Sequence, residues 1–204
     1  IMDIMIYLLV GGALLLGVIV LYNLGIMSYT ERYREMATLK VVGAFHGLSR
    51  ERSDARKYPA IHPLESWSKY KGIADMERVE AAREILVRSN EINQMMMVVG
   101  EEGTSSEDYI TYQKGELLDS VYLQQNCFDE IDSLCSTERQ AHEFAVMYDI
   151  LMRSYDLDSK KDIRAFFNQL RQELLDWHTI PFKTPEYEAQ QKVITDFYMA
   201  KVIE

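Results

Sequence analysis

Two cysteines and four prolines among 204 residues leave little scope for covalent staples or rigid loops. Two thiols cannot build a disulfide scaffold or a four-cysteine zinc site. The four histidines, His46, His62, His142 and His178, show no metal-ligand spacing. Bases are outnumbered, 22 Lys and Arg against 32 Asp and Glu, and the formal net charge is −10. That balance argues against a nucleic-acid binder, which would present a basic face. Nor does the chain contain G-x-x-x-x-G-K-[ST], the loop whose backbone amides and lysine cradle the phosphates of ATP. What is present is 48% apolar and 26% charged residues, enough for a sizeable core and against wholesale disorder.

The charge is unevenly spread. Residues 1–45 carry three acids (Asp3, Glu31, Glu35) and three bases (Arg32, Arg34, Lys40), so the net −10 lies in residues 46–204. Ile4 to Tyr22 is a run of 19 residues without charge or proline, long enough to cross the hydrocarbon core as a helix. A signal peptide would need a basic start and a small-residue cleavage site, and Asp3 stands near the start instead. Positive residues follow the run, at Arg32, Arg34, Lys40 and from Arg50 to Lys57. They predict a single span, residues 4–22, in the cytoplasmic membrane, with residues 30–204 in the cytoplasm.

Beyond Gly43 the pattern is that of a soluble helical bundle, without a second span or a convincing alternating strand. The fold class is therefore mainly α: one N-terminal transmembrane helix, then the bundle. Val79, Ala82, Leu86, Met96 and Val99 mark one helical face, flanked by Ile85 and Ile92. Ser105 with Asp108 three residues on is a capping box. Leu117, Leu118, Val121 and Tyr122 form a stripe on the helix it opens. Phe144, Met147, Tyr148, Leu151, Met152 and Tyr155 form the next. Ser159 with Asp162 caps a fourth helix, carrying Ile163, Phe166, Phe167, Leu170, Leu174 and Trp177, which Pro181 stops. Thr184 caps a last helix with Pro185 at its first position. Pro59 and Pro63 forbid a regular helix around them and favour a fixed extended turn. Met95-Met96-Met97 reads as helix packing, and Cys127 and Cys135 as reduced thiols.

Two family resemblances lie on this pattern. Leu21-Tyr22-Asn23-Leu24-Gly25, Ser28-Tyr29-Thr30-Glu31-Arg32 and Arg34-Glu35-Met36-Ala37-Thr38-Leu39-Lys40-Val41-Val42-Gly43 resemble FtsX-like permeases, membrane subunits of ABC-type systems. From about Phe45 onward a second likeness takes over. Pro59-Ala60-Ile61-His62 followed by Ser66-Trp67-Ser68 fits the signature of rotary ATPase nucleotide-binding subunits. With Arg88-Ser89-Asn90-Glu91-Ile92-Asn93-Gln94, Val99-Gly100-Glu101-Glu102-Gly103 and Leu123-Gln124-Gln125-Asn126, the stretch is similar to the catalytic A-subunit family of V-type ATP synthases, over some 160 residues.

Together the two resemblances imply a division into 1–43, a permease-like span and its juxtamembrane segment; 44–74, a signature turn from the end of a nucleotide-binding domain; and 75–204, a helical C-terminal domain of the A-subunit family. The second resemblance implies ATP or ADP with magnesium as cofactor, at a site of which this chain holds only part. Tyr58 and Phe128 match the two aromatic walls of the adenine pocket; read without the family they are ordinary core aromatics. Glu101, Glu102, Glu107 and Asp108 match an acidic loop that touches the central-stalk rotor; their plain reading is a solvated helix cap. The implied partners are the V-type ATPase B subunit and the rotor subunits. The chain should not hydrolyse ATP alone, and no catalytic or metal-ligating residue is assigned. The two likenesses meet at Val41-Val42-Gly43-Ala44-Phe45, which predicts a joined chimera of two incomplete genes. A permease fragment and a membrane-anchored helical interaction module are the alternative functions. Without the upstream core, residues 46–72 are expected to be poorly anchored and residues 75–204 to keep their bundle.

Overall fold

The computed structural model describes residues 49–54, 57, 60–65, 74–124, 126, 129–133 and 135–203, which form helices joined by loops. A short helix α1 (Arg50–Asp54) precedes a long one, α2 (Met76–Val99). A 3₁₀ turn (Glu101–Gly103) reverses the chain into α3 (Ser106–Leu117), which continues as a π-helical turn over Leu118–Tyr122. Then come α4 (Glu130–Ser133), α5 (Thr137–Met152), α6 (Lys160–His178) and α7 (Pro185–Met199). An isolated antiparallel bridge joins Tyr155 to Val202.

Local chemistry starts the helices where the sequence says it should. The Asp108 amide donates to Ser105 Oγ at 3.1 Å, and that hydroxyl donates to Asp108 Oδ2 at 3.0 Å, which opens α3. The Tyr187 amide donates to Thr184 Oγ1 at 3.2 Å, with Pro185 at the first position of α7. Ser136 caps α5 by accepting from the Arg139 amide, a start the sequence reading lacks. Ser159 stands at the N-cap of α6 but makes no side-chain cap bond; the backbone bond from Ile163 N–H to its carbonyl, 2.9 Å, begins that helix.

The core lies where α3, α5, α6 and α7 meet. Leu117, Ile150, Ile163, Phe167, Leu170, Trp177 and Ile194 have no exposed surface. Each such side chain contributes about 1.5–3 kcal/mol by leaving water. Trp177 satisfies its one polar atom by donating Nε1–H to the Tyr187 carbonyl at 3.0 Å, and the two rings stack 4.6 Å apart. The predicted stripes differ in detail. On α2 the buried residues are Ala82, Ser89 and Ile92, whereas Val99 is 53% exposed. Ile150 joins the α5 stripe, and Met152 lies at its exposed end. Tyr155 is buried beyond the helix end, its hydroxyl donating to the Ile150 carbonyl at 2.7 Å.

The α2–α3 hairpin is pinned by a glycine. A Cβ on Gly115 would lie 2.2 Å from Ser89 Cβ, so only hydrogen lets the helices meet there. Ser89 Oγ donates to the Tyr112 carbonyl at 3.1 Å across the same crossing.

Two expectations are corrected. The membrane-spanning fold class is not carried: among the described residues no helix is long and apolar enough to cross a membrane. The longest, α2, holds charged residues from Glu77 to Glu91. The predicted span over residues 4–22 lies outside the described residues, and the single-span localisation falls with it. Secondly, the described residues between 49 and 65 are tied down. Ser49, Arg52 and Ile61 are buried, and Ser49 N–H donates to the Ala60 carbonyl at 2.8 Å. Arg83 Nη2 reaches the Leu64 carbonyl at 2.7 Å. Arg52 and Lys57 both bind the Asp119 carboxylate, Lys57 Nζ at 2.6 Å.

Candidate functional site

The four acids assigned to the loop lie together at the tip of the α2–α3 hairpin, in unequal states. Gly100 ends α2 with φ 81°, a left-handed value that suits glycine, and its amide donates to the Met96 carbonyl at 2.9 Å. The turn that follows brings the Glu101 carboxylate onto Arg164 of α6, 2.5 and 2.6 Å from Nη2. Asp108 is occupied by its capping role and by Arg88 of α2, 3.2 Å away. Glu102 and Glu107 are exposed. Beside them the last turn of α2 presents Met97, Val98 and Val99, 78%, 85% and 53% exposed. The predicted acidic loop is thus two struts and two free carboxylates bordering an apolar knob.

Tyr58 and Phe128, the expected adenine walls, lie outside the described residues. Their described neighbours are each anchored, Lys57 to the turn that follows α3 and Asn126 to α4. Lys57 binds Asp119, and the chain leaves α3 past Leu123 to Asn126, whose amide donates to Asp132 Oδ2 at 2.5 Å. A cleft of about 290 Å³ opens between this junction and the hairpin, walled by His62, Asn90, Asn93, Tyr112, Glu116 and Asp119. Burial lowers the Arg52 guanidinium from its ordinary value there, while Glu116 acts in the opposite direction.

The sequence reading missed a buried polar hub behind that junction. Arg139 Nε donates to Glu143 Oε1 at 2.6 Å, Nη2 to the His178 carbonyl at 2.7 Å and Nη1 to the Ile131 carbonyl at 3.4 Å. The Tyr187 hydroxyl donates to Glu143 Oε1 at 3.4 Å, and His178 Nε2 is 3.9 Å from Oε2. One guanidinium therefore joins α4, α5 and the end of α6. Cys135 is a free thiol; burial and the neighbouring Glu143 carboxylate push its pKa up, away from reactivity. Cys127 lies outside the described residues. The one sequence signal for the hub was the i,i+4 spacing of Arg139 and Glu143, which marks a surface pair as readily as a buried one.

Lys114 closes the hairpin onto α5. Its Nζ donates to the Leu151 carbonyl at 2.8 Å and the Arg153 carbonyl at 2.6 Å, at the C-terminal end of that helix. Burial lowers its pKa from 10.5 to about 8. Between those values the unfolded chain binds the extra proton, so this group makes stability rise with pH across that window. Tyr198 works in the other sense. Burial, then its bond to Asp149, raises it from 10 to about 12, so its share of stability is lost as pH climbs from 10 through 12. The urea midpoint is expected to increase from pH 8 to 10 and to fall above it, and a Lys114→Met chain should lack the increase.

No group of three or more His, Cys, Asp or Glu among the described residues is placed to hold a metal ion.

Comparison with known proteins agrees with this architecture. Residues 76–162 match the family model for the C-terminal domain of V and A type ATP synthase. The chain is 50% identical over 199 residues to the V-type ATP synthase alpha chain of Borrelia garinii subsp. bavariensis, covering 92% of this chain and 35% of that protein. It is 52% identical over 168 residues to that of Borrelia turicatae, covering 82% of this chain and 29% of that protein. Against the Borreliella burgdorferi alpha chain it is 50% identical over 199 residues. The chain spans about a third of the length of these curated relatives. A match covering 92% of the chain needs more than the residues from 45 onward, so it enters the stretch likened to permeases, and the permease fusion is not supported by these matches. The helical domain is thus similar to the C-terminal domain of V and A type ATP synthase, and the chain to about a third of a V-type ATP synthase alpha chain.

Proposed function

We propose that the chain is a fragment of the catalytic A subunit of an ion-translocating V-type ATP synthase, and that its helical hairpin is the part that meets the central-stalk rotor. The observation that carries this is the hairpin tip. Met97, Val98 and Val99 stand exposed beside the free carboxylates Glu102 and Glu107, at the end of two helices locked by Gly115. A protein seldom leaves three adjacent large apolar side chains in water unless something covers them. Exposed acids beside them suit a basic rotor surface.

The nucleotide half of the reading rests on Tyr58 and Phe128 as walls for the adenine of ATP or ADP. It is supported by the anchoring of their described neighbours: Lys57 is held by Asp119, just beyond α3, and the Asn126 amide by Asp132 of α4. The B subunit is the neighbour that would complete such a site. With no phosphate loop in its 204 residues, this chain is expected to show no ATP hydrolysis by itself.

The test is binding of the full chain to purified central-stalk subunits of a V-type ATP synthase. Val98 is 85% exposed, so Val98→Asp should leave the melting temperature in place and weaken stalk binding at least about tenfold, or 1.4 kcal/mol. Unchanged binding would remove the tip from the interface. The likeness of residues 21–43 to permeases carries no function here. One uninterrupted frame in the source DNA across codons 35–50 would end the idea of a chimera assembled by error.

A further inference from the structure

We infer that Arg164, assisted by Lys160, is a positioning residue that latches the hairpin tip to α6, and that Glu101 is a strut of this latch and not a partner contact. The second half rests on the proposed rotor reading; the first does not.

The geometry is specific. Lys160 and Arg164 are one helical turn apart and share a face of α6. Lys160 Nζ donates to the Glu101 carbonyl, and Arg164 Nη2 holds both oxygens of the Glu101 carboxylate. Arg164 Nε donates to the Tyr109 hydroxyl at 3.1 Å, and Tyr109 is 2% exposed. Just before α6 the backbone contributes again: Ser106 Oγ donates to the Asp158 carbonyl at 3.0 Å. A lone exposed ion pair adds little, because water and side-chain entropy offset it. Arg164 differs in bridging a fixed, buried tyrosine to the turn, so the tip inherits the rigidity of the core. The Glu101 carbonyl also accepts from the Thr104 amide at 3.1 Å, which couples the latch to the backbone of the turn itself. A tip meant to receive force from a partner needs such bracing, since an unbraced 3₁₀ turn of three residues would bend before α2 moved.

Hydrogen exchange on the full chain tests the latch. Arg164→Ala and Glu101→Ala should each speed exchange at the Gly103 and Thr104 amides about tenfold, with the amides of α5 and the second half of α6 unchanged. Reversing the pair, Glu101→Arg with Arg164→Glu, should restore the share of protection that the ion pair carries, though not the share carried by the Arg164 Nε–H on Tyr109. Unchanged exchange in both single variants would overturn the latch, as would failure of the reversed pair to restore the ion pair's share. Stalk binding reads the second half. A strut predicts that the reversed pair recovers the binding lost in Glu101→Ala, although the charge at 101 is inverted; loss in both would make Glu101 a contact. If the stalk subunits do not bind even the unaltered chain, the proposed function fails, and the exchange result still decides the latch.

Discussion

Arg139→Met is expected to cost the domain about 3–5 kcal/mol. The side chains of Arg139 and Glu143 are only 4% and 6% exposed. Removing the guanidinium leaves the Glu143 carboxylate without its cation in a site closed to water. It also strips the donors from the Ile131 and His178 carbonyls. Removing both partners together, Arg139→Met with Glu143→Leu, should cost less than the sum of the two single changes, because no uncompensated charge is then buried. Urea unfolding of the four chains in a double-mutant cycle measures that coupling. Strict additivity would show that the pair does not act as a unit. The effect should spread beyond stability. Because Arg139 holds α4 through the Ile131 carbonyl, its loss should raise exchange at Ile131 and Asp132 before the rest of the chain opens.

Gly115→Ala should destabilise the hairpin by about 1–3 kcal/mol, against a helix propensity that favours alanine by about 1 kcal/mol. The added methyl would fall 2.2 Å from Ser89 Cβ and 2.3 Å from its hydroxyl. Both helices are continuous there, so relief requires them to separate, and separation breaks the bond from Ser89 Oγ to the Tyr112 carbonyl. Ser89→Gly in the same chain should return most of the loss, since it removes the atoms that clash. Thermal melts of the two single variants and the pair check this. If Gly115→Ala alone stabilises the chain, the close crossing of α2 and α3 is wrong.

These two residues show where sequence reading stops. Cap residues and apolar stripes act within one turn of their own helix, so Ser105, Thr184, Pro185 and the Phe166-to-Trp177 stripe could be read directly. A buried charge cannot be read that way. Arg139 and Glu143 have the spacing of a solvated pair, and only the arrival of α4, α6 and Tyr187 around them takes them out of water. A glycine inside a helix is likewise ambiguous until the partner helix is in place. The acidic loop was legible as a loop, yet its sorting into struts and free carboxylates depended on Arg164, 63 residues from Glu101.

The local signals also explain one failure of reading. A hydrophobic stripe predicts burial only if a neighbour covers it. Val99 continues the α2 pattern to the last residue of the helix, where it borders the Gly103 turn and is 53% exposed.

By itself, then, the sequence determined where three of the bundle's helices begin, at Ser105, Ser159 and Thr184, which faces of them carry most of the apolar residues, and that no phosphate loop is present in these residues, because these are properties of residues a few positions apart. The tertiary structure alone decided which charges are buried, which acids remain free at the tip, and how closely α2 approaches α3. Those depend on groups distant in sequence meeting at contact distance, where desolvation and steric overlap dominate over any local preference.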